Sequence, residues 1–280
     1  MAGSSFAGKS VLITGAGAGI GRVLAQQLAE RGATVWASDR SEATARACAE
    51  QLRAKGCEAR GLALDVSDRA RFEAVVAELC AAHGRIDFLF NNAGVGIGGE
   101  VRDLSHEDWR EVIEVNLFGV IHGVEAAYPR MVEQGSGHIV NVASVAGLFP
   151  LPGEGPYVTS KYAVVGLSHS LRAEAAGLGV RVSCACPGTV ATDIYKTSKV
   201  VNYDLEGILS LWPKAITPER CASVILRGVA RNRATIIITG RARQLAWLAR
   251  LSPALTGWAT RRYMGQARAF RRLEEAPERD

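Results

Sequence analysis

No apolar stretch of the sequence is long enough to cross a bilayer without meeting a charge or a turn residue, and residues 1–10 carry no signal-type apolar run. A cytoplasmic location is the expectation. The cysteines (Cys48, Cys57, Cys80, Cys184, Cys186 and Cys221) show no C-x-x-C spacing. The absence of that spacing argues against a zinc knuckle, and a reducing compartment leaves them as small apolar residues, so no metal site is expected. Cys184 and Cys186 alternate along an expected strand and share one face. Linkers rich in proline, glycine or serine are missing, as are internal repeats, so nothing divides residues 10–240. Charged residues are only 22% of the chain against 48% hydrophobic, which excludes bulk disorder and supplies a core.

Charge of one sign is confined to one end. The net +5 comes entirely from residues 241–280, where nine arginines face four acids, while residues 1–240 balance at 24 of each sign. A basic tail on a neutral body marks a local surface, so nucleic acid is not an expected partner.

What the sequence does have is alternation. Short β-branched runs (Ser10–Thr14, Thr34–Ser38, Ala59–Leu64, Ile86–Phe90, His138–Val142, Val180–Cys186, Thr235–Thr239) are separated by Ala/Leu-rich stretches of helical period such as Ile20–Arg31 and Glu42–Lys55. Continuous apolar strands covered by helices on both sides predict an α/β fold, a single doubly wound domain with a seven-stranded parallel sheet. Residues 1–240 would form it, and 241–280 a helical C-terminal extension.

The first strand runs into Gly15-Ala16-Gly17-Ala18-Gly19-Ile20-Gly21 and then a helix. Glycines there let the backbone approach a pyrophosphate, which a helix N-terminus holds through its N–H groups and dipole. By itself such a turn is equally a loop before an ordinary helix. Asp39 ends the second strand, where a carboxylate accepts from ribose hydroxyls and repels a 2′-phosphate, favouring NAD. Arg40 beside it admits NADP, because a guanidinium pairs with a 2′-phosphate.

Tyr157 and Lys161 stand four residues apart behind Pro156, at the start of an expected helix. That spacing stacks them on one face, where a lysine cation favours a phenolate whose free pKa is about 10. Ser144 precedes Tyr157 by 13 residues, and Asn116 sits within an apolar helical stretch where its amide needs partners. A hydrolase nucleophile at Ser144 is disfavoured, since Ala143-Ser144-Val145 lacks the G-x-S-x-G elbow.

Taken in order over residues 8–240, Thr14–Gly21, Leu64-Asp65-Val66, Asn91-Asn92-Ala93-Gly94, Asn116, Ser144, Tyr157 with Lys161, and Pro187–Thr192 resemble the short-chain dehydrogenase/reductase family. The resemblance implies a nicotinamide oxidoreductase. It implies cofactor contacts at Gly15, Gly17, Gly19, Ile20, Gly21, Asp39, Arg40, Asp65, Val66, Asn92, Ala93, Gly94, Tyr157, Lys161, Pro187, Gly188, Val190 and Thr192. It implies a catalytic set of Asn116, Ser144, Tyr157 and Lys161, in which Tyr157 exchanges the hydroxyl proton, Ser144 orients the oxygen, Lys161 holds the ribose and Asn116 holds a relaying water. A homodimer or homotetramer follows from the resemblance alone. An idle nucleotide-binding scaffold and an NAD-dependent epimerase or dehydratase are the alternatives; the intact quartet argues against the first, and the lack of a large substrate domain against the second.

Residues 193–216 would form a flap rich in Ile194, Tyr195, Val200, Val201, Tyr203, Leu205, Ile208, Leu209, Leu211 and Trp212. Such a cover suits a bulky lipophilic alcohol or ketone, though the same residues would equally serve packing. In the tail, Leu255, Trp258, Ala259, Tyr263, Ala267, Phe270 and Leu273 fall on one helical arc, with Arg261, Arg268, Arg271 and Arg272 mostly opposite and Arg262 out of pattern. Residues 254–273 therefore either pack on protein or lie against a membrane surface.

Overall fold

The structure, a computed structural model, describes residues 6–192, 194 and 198–272. Tyr195 and Leu273 lie outside the described residues. Seven parallel strands, β1 (Ser10–Thr14), β2 (Thr34–Asp39), β3 (Ala59–Ala63), β4 (Phe88–Asn91), β6 (Gly137–Val142), β7 (Val180–Cys186) and β9 (Thr235–Ile237), form one sheet in the order β3-β2-β1-β4-β6-β7-β9. Two-residue strands β5 (Ile97–Gly98) and β8 (Lys199–Val200) pair separately.

Strand side chains alternate between two cores. Val11 and Ile13 join Leu24 and Leu28 of α1 (Gly19–Ala29), Leu52 of α2 (Glu42–Ala54) and Ile225 of a later helix. Leu12 points the other way, into Phe72 and Val75 of α3 (Arg69–His83) and Leu171 of α6 (Gly155–Glu174). With both faces covered, the strands need the uninterrupted apolar runs seen in the sequence.

Most strand ends fall within one residue of expectation, and two differ by two residues for local reasons. β4 starts at Phe88 rather than Ile86, because the Ile86 N–H is taken by the Gln134 side chain at 2.9 Å. β9 stops at Ile237, because the Thr239 hydroxyl caps the next helix by accepting from the Ala242 N–H at 3.1 Å.

The helical stretch expected around Asn116 is not regular. α4 (His106–Ile113), opened by a reciprocal Ser105–Asp108 capping box, passes through a π-turn at Glu114–Phe118 into α5 (Gly119–Glu133). The remaining helices are α7 (Leu205–Ser210), α8 (Pro218–Ala230), α9 (Gly240–Leu251) and α10 (Pro253–Ala267). Pro253 at the start of α10 and the Ser252 cap explain the break between the last two.

The strand order reverses between β1 and β4, so their carboxyl ends open a crevice at the sheet edge. The expected site residues converge there.

Candidate functional site

The glycine turn is braced from three sides. Gly15 has φ +65°, and a Cβ on it would come 2.9 Å from the Ala93 Cα. A Cβ on Gly21 would collide with the Gly15 carbonyl, so α1 begins closer to β1 than any other residue allows. The Gly17 N–H donates to the Asp39 carboxylate at 3.0 Å, and the Ser41 N–H donates to the other oxygen at 3.1 Å. The N-cap of α1 is Ala18, which supplies no side-chain cap, so its first-turn N–H groups face the crevice with their dipole unmet by any capping side chain. This cradle fits a nucleotide pyrophosphate. Arg40 is exposed and makes no ion pair among the described residues.

Beside it, the Thr14 hydroxyl accepts from the Asn92 and Ala93 N–H groups, each at 3.0 Å. The Asn92 amide donates to the carbonyls of Thr14 (2.9 Å) and Gly15 (3.2 Å). Asn92, Ala93 and Gly94 are thereby locked along the turn. Beneath, Asn91 donates to Asn141 at 2.9 Å and Asn141 to Ser168 at 3.0 Å, a buried polar chain joining β4, β6 and α6. Asp65 is exposed. Its carboxylate accepts from both the N–H (3.0 Å) and the hydroxyl (2.7 Å) of Ser67, an Asx turn leading to α3, while Val66 is buried against α5.

Tyr157 and Lys161 share one face of α6, with the Lys161 Nζ 5.5 Å from the Tyr157 ring centre. Lys161 is only 4% exposed, and its ammonium donates to the Val142 carbonyl at 3.1 Å. Burial pulls it down to about 8. Asn116 is fully buried in the π-turn: its Oδ1 accepts from the Val95 N–H at 2.8 Å, and its Nδ2 donates to the Val95 carbonyl at 2.9 Å and the Ser160 hydroxyl at 3.3 Å. Both amide hydrogens are spent, leaving only acceptor capacity. Gly94 lies between this amide and Lys161, since a Cβ there would be 3.1 Å from Asn116 Oδ1 and 3.5 Å from Lys161 Nζ. Ser144 lies two residues beyond the end of β6 and accepts from the Ala146 N–H at 3.1 Å, and the turn it starts lies against the Lys161 backbone at Gly147.

The segment after β7 closes the crevice. The Pro187 carbonyl accepts from the Val145 N–H at 2.7 Å, tying β7 to the Ser144 turn. Gly188 packs under Thr239, Val190 bridges Ile216, and the Thr192 methyl lies over Gly19. The flap is held from two sides. Lys199 pairs with Asp108 of α4 at 2.8 Å, and the tail grips the rest: the Trp212 indole donates to the Tyr263 hydroxyl at 3.1 Å, Phe270 fills the space beside Gly207, and Tyr203 bridges Arg271.

One titratable group of this region carries no sequence signal. Glu154 stands in a Pro-Gly-Glu-Gly-Pro turn three residues before Tyr157 and reads there as an ordinary loop acid. It is half-buried, without a hydrogen bond to its carboxyl among the described residues, and burial pushes it up to about 7. Its charge also raises the pKa of Tyr263, whose main upward shift comes from burial.

Residues 9–200 match the family described as short chain dehydrogenase. The chain belongs to the short-chain dehydrogenase/reductase family. The SadH protein of Mycobacterium tuberculosis is 33% identical over 89% of this chain and 92% of its own. A short-chain dehydrogenase/reductase of Burkholderia phymatum, solved with NAD, superposes with TM-score 0.80 at 32% identity over 89% of this chain and 95% of that one. A gluconate 5-dehydrogenase of Burkholderia cenocepacia, solved with NADP and tartrate, gives TM-score 0.76 at 28% identity over 87% and 99%. Short-chain dehydrogenase/reductase neighbours thus bind either nucleotide, and the expected doubly wound fold is that of the family.

Proposed function

We propose that this chain is an NAD-preferring dehydrogenase/reductase that interconverts a hydrophobic secondary alcohol and its ketone. The observation that carries it is the buried Lys161, its Nζ 5.5 Å from the Tyr157 ring centre, behind the Ala93-Gly94 turn that packs on Gly15 of the glycine turn. Bound nicotinamide would supply the hydride acceptor or donor. Tyr157 takes the substrate hydroxyl proton in oxidation and returns it in reduction; the Lys161 ammonium favours the phenolate that makes this workable. Ser144, at the mouth of β6, orients the substrate oxygen. Asn116, with its donors committed to Val95 and Ser160, aligns the Gly94 turn and offers only an acceptor to a water serving Lys161. The NAD preference rests on Asp39 at the end of β2, whose carboxylate would accept from ribose hydroxyls and repel a 2′-phosphate.

The lipophilic substrate class is supported by half-buried Leu148, buried Phe149 and half-buried Leu151 after Ser144, together with Trp212 and Tyr263 of the cover. A homodimer or homotetramer is part of the same proposal, supported by exposed Phe118 of the π-turn and exposed Tyr162 of α6.

The test follows nicotinamide absorbance with NAD and NADP over a panel of aliphatic, aromatic, steroid and retinoid alcohols and ketones, with Tyr157→Phe alongside. Turnover is expected with bulky apolar members and to be lost in the variant. Turnover surviving Tyr157→Phe would sink the mechanism, and nucleotide binding with no turnover would favour a sensor.

A further inference from the structure

The tail does two different things with its two sides. On α10, Thr256 and Ala267 are buried and Tyr263 bonds Trp212, so this side faces the body. Leu255 and Trp258 of the same helix are 48% and 55% exposed. The single apolar arc expected from the sequence is therefore split between the flap and solvent. Arg262, which spoiled that arc, stands one turn beyond Trp258 on the outward side. On α9, Trp247 and Leu251, four residues apart, are 58% and 72% exposed. With Arg243, Gln244 and Leu248 they line an open trough of about 600 Å³.

The charges that these two helices themselves carry have one sign. Residues 240–272 contain eight arginines and no acid. Arg268, Arg271 and Arg272 are engaged by Glu100, Asp103 and Asp204 of the body. Arg241, Arg243, Arg250, Arg261 and Arg262 make no ion pair among the described residues. Exposed tryptophan and leucine flanked by unpaired arginine match an interface that is apolar inside and anionic at its surface. A second copy docking through this face would bring the same cations together, which disfavours it.

We propose that α9 and α10 form a peripheral docking surface for an anionic lipid bilayer, with Trp247, Leu251, Leu255 and Trp258 entering the headgroup region and the five arginines meeting lipid phosphates. The contact lies along the bilayer rather than through it. No helix among the described residues is long and apolar enough to cross, and α10 with 15 residues spans only about 22 Å against a hydrocarbon core of about 30 Å. Because α10 also holds Trp212 of the flap, docking would set the substrate cover against the membrane. That consequence, unlike the docking, rests on the lipophilic substrate proposed above.

The test uses the full chain with vesicles of phosphatidylcholine containing phosphatidylglycerol, and with vesicles of phosphatidylcholine alone. Co-sedimentation is expected with the anionic vesicles, weakened by salt, with tryptophan emission shifted to the blue. Replacing Trp247, Leu251 and Trp258 together by serine, and separately Arg243, Arg250 and Arg262 by glutamine, should each reduce partitioning by about tenfold or more. Unchanged nucleotide binding in both variants reports that they fold. Protein that stays in the supernatant, or binds both vesicles alike, overturns the proposal. So does a doubled mass by light scattering that the serine variant abolishes, which would assign the face to a second copy. Vesicle binding by a chain that turns over no lipophilic alcohol would overturn the proposed reaction and leave the docking surface standing.

Discussion

Arg271 of the tail and Glu100 of the body lie 2.8 Å apart, joined at the same carboxylate by Arg268 at 2.9 Å and by the Tyr203 hydroxyl at 2.6 Å. Hydrogen bonds from Arg268 and then Tyr203 hold Glu100 down to about 2. A carboxylate depressed on folding contributes stability above its unfolded pKa, lost as pH falls through the folded value. The tail should therefore stay docked above about pH 4.5 and loosen between there and pH 2. At neutral pH, Glu100→Ala leaves Arg271 with Asp103 as its remaining partner and removes the acceptor shared by Arg268 and the Tyr203 hydroxyl, which should cost about 1–2 kcal/mol. Limited proteolysis within residues 240–272 should accelerate in that variant, and an unchanged cleavage pattern would show that the ion cluster does not hold the tail.

Lys161 separates a catalytic from a structural role. Burial, not a charged partner, sets its value near 8, so its cation is lost as pH rises through that value. The phenolate of Tyr157 then loses its support, and kcat/KM for alcohol oxidation should fall on the alkaline side of about pH 8. Lys161→Met removes a buried charge while keeping the apolar stem. Activity should drop by about a thousandfold or more, while Tm changes little, because the lost bond to Val142 is offset by the relieved desolvation. A large fall in Tm with activity per folded molecule intact would make Lys161 a structural residue.

These two sites also mark how far sequence reading reaches. Tyr157 and Lys161 were legible because a helix turns every 3.6 residues, so a four-residue spacing states a shared face. The strands were legible because burial on both sides demands continuous apolar runs. The π-turn at Asn116 was not, since it depends on the Asn116 amide closing on the Val95 backbone, a partner 21 residues away. Glu154 was invisible for a similar reason: its burial is made by distant segments. The tail pattern was visible as amphipathic, but which half of the arc met the body depended on Trp212 and Gly207 of the flap.

Cofactor choice should turn on Asp39. Asp39→Ala removes the acceptor for the Gly17 and Ser41 N–H groups as well as for a ribose, so the turn loosens and NAD affinity falls together. Loss of a hydrogen bond to a charged group is worth about 1.5–3 kcal/mol, so KM for NAD should rise between about tenfold and a hundredfold. NADP should suffer less, because the repulsive charge is gone and exposed Arg40 is free to meet a 2′-phosphate. Adding Arg40→Ala should then remove that NADP activity. Equal losses for the two nucleotides in Asp39→Ala would show that the carboxylate only braces the turn.

Glu154 predicts a stability effect of opposite sign to Glu100. Its carboxyl is raised to about 7 by burial, so the folded chain holds a proton that the unfolded chain releases near pH 4.5. Stability contributed at this position is present below the unfolded value and is lost as pH rises toward the folded one. Glu154→Gln keeps the shape without the ionisation, so it should match the parent near pH 4 and exceed it by about 1–2 kcal/mol at pH 8, the side chain being only half-buried. The measurement is the difference in Tm between variant and parent across that range. A difference that stays flat with pH would mean that Glu154 ionises in the folded chain as it does in water. A difference that grows, with KM for apolar substrates falling in the variant at pH 8, would place the charge against the substrate and the Tyr263 cover.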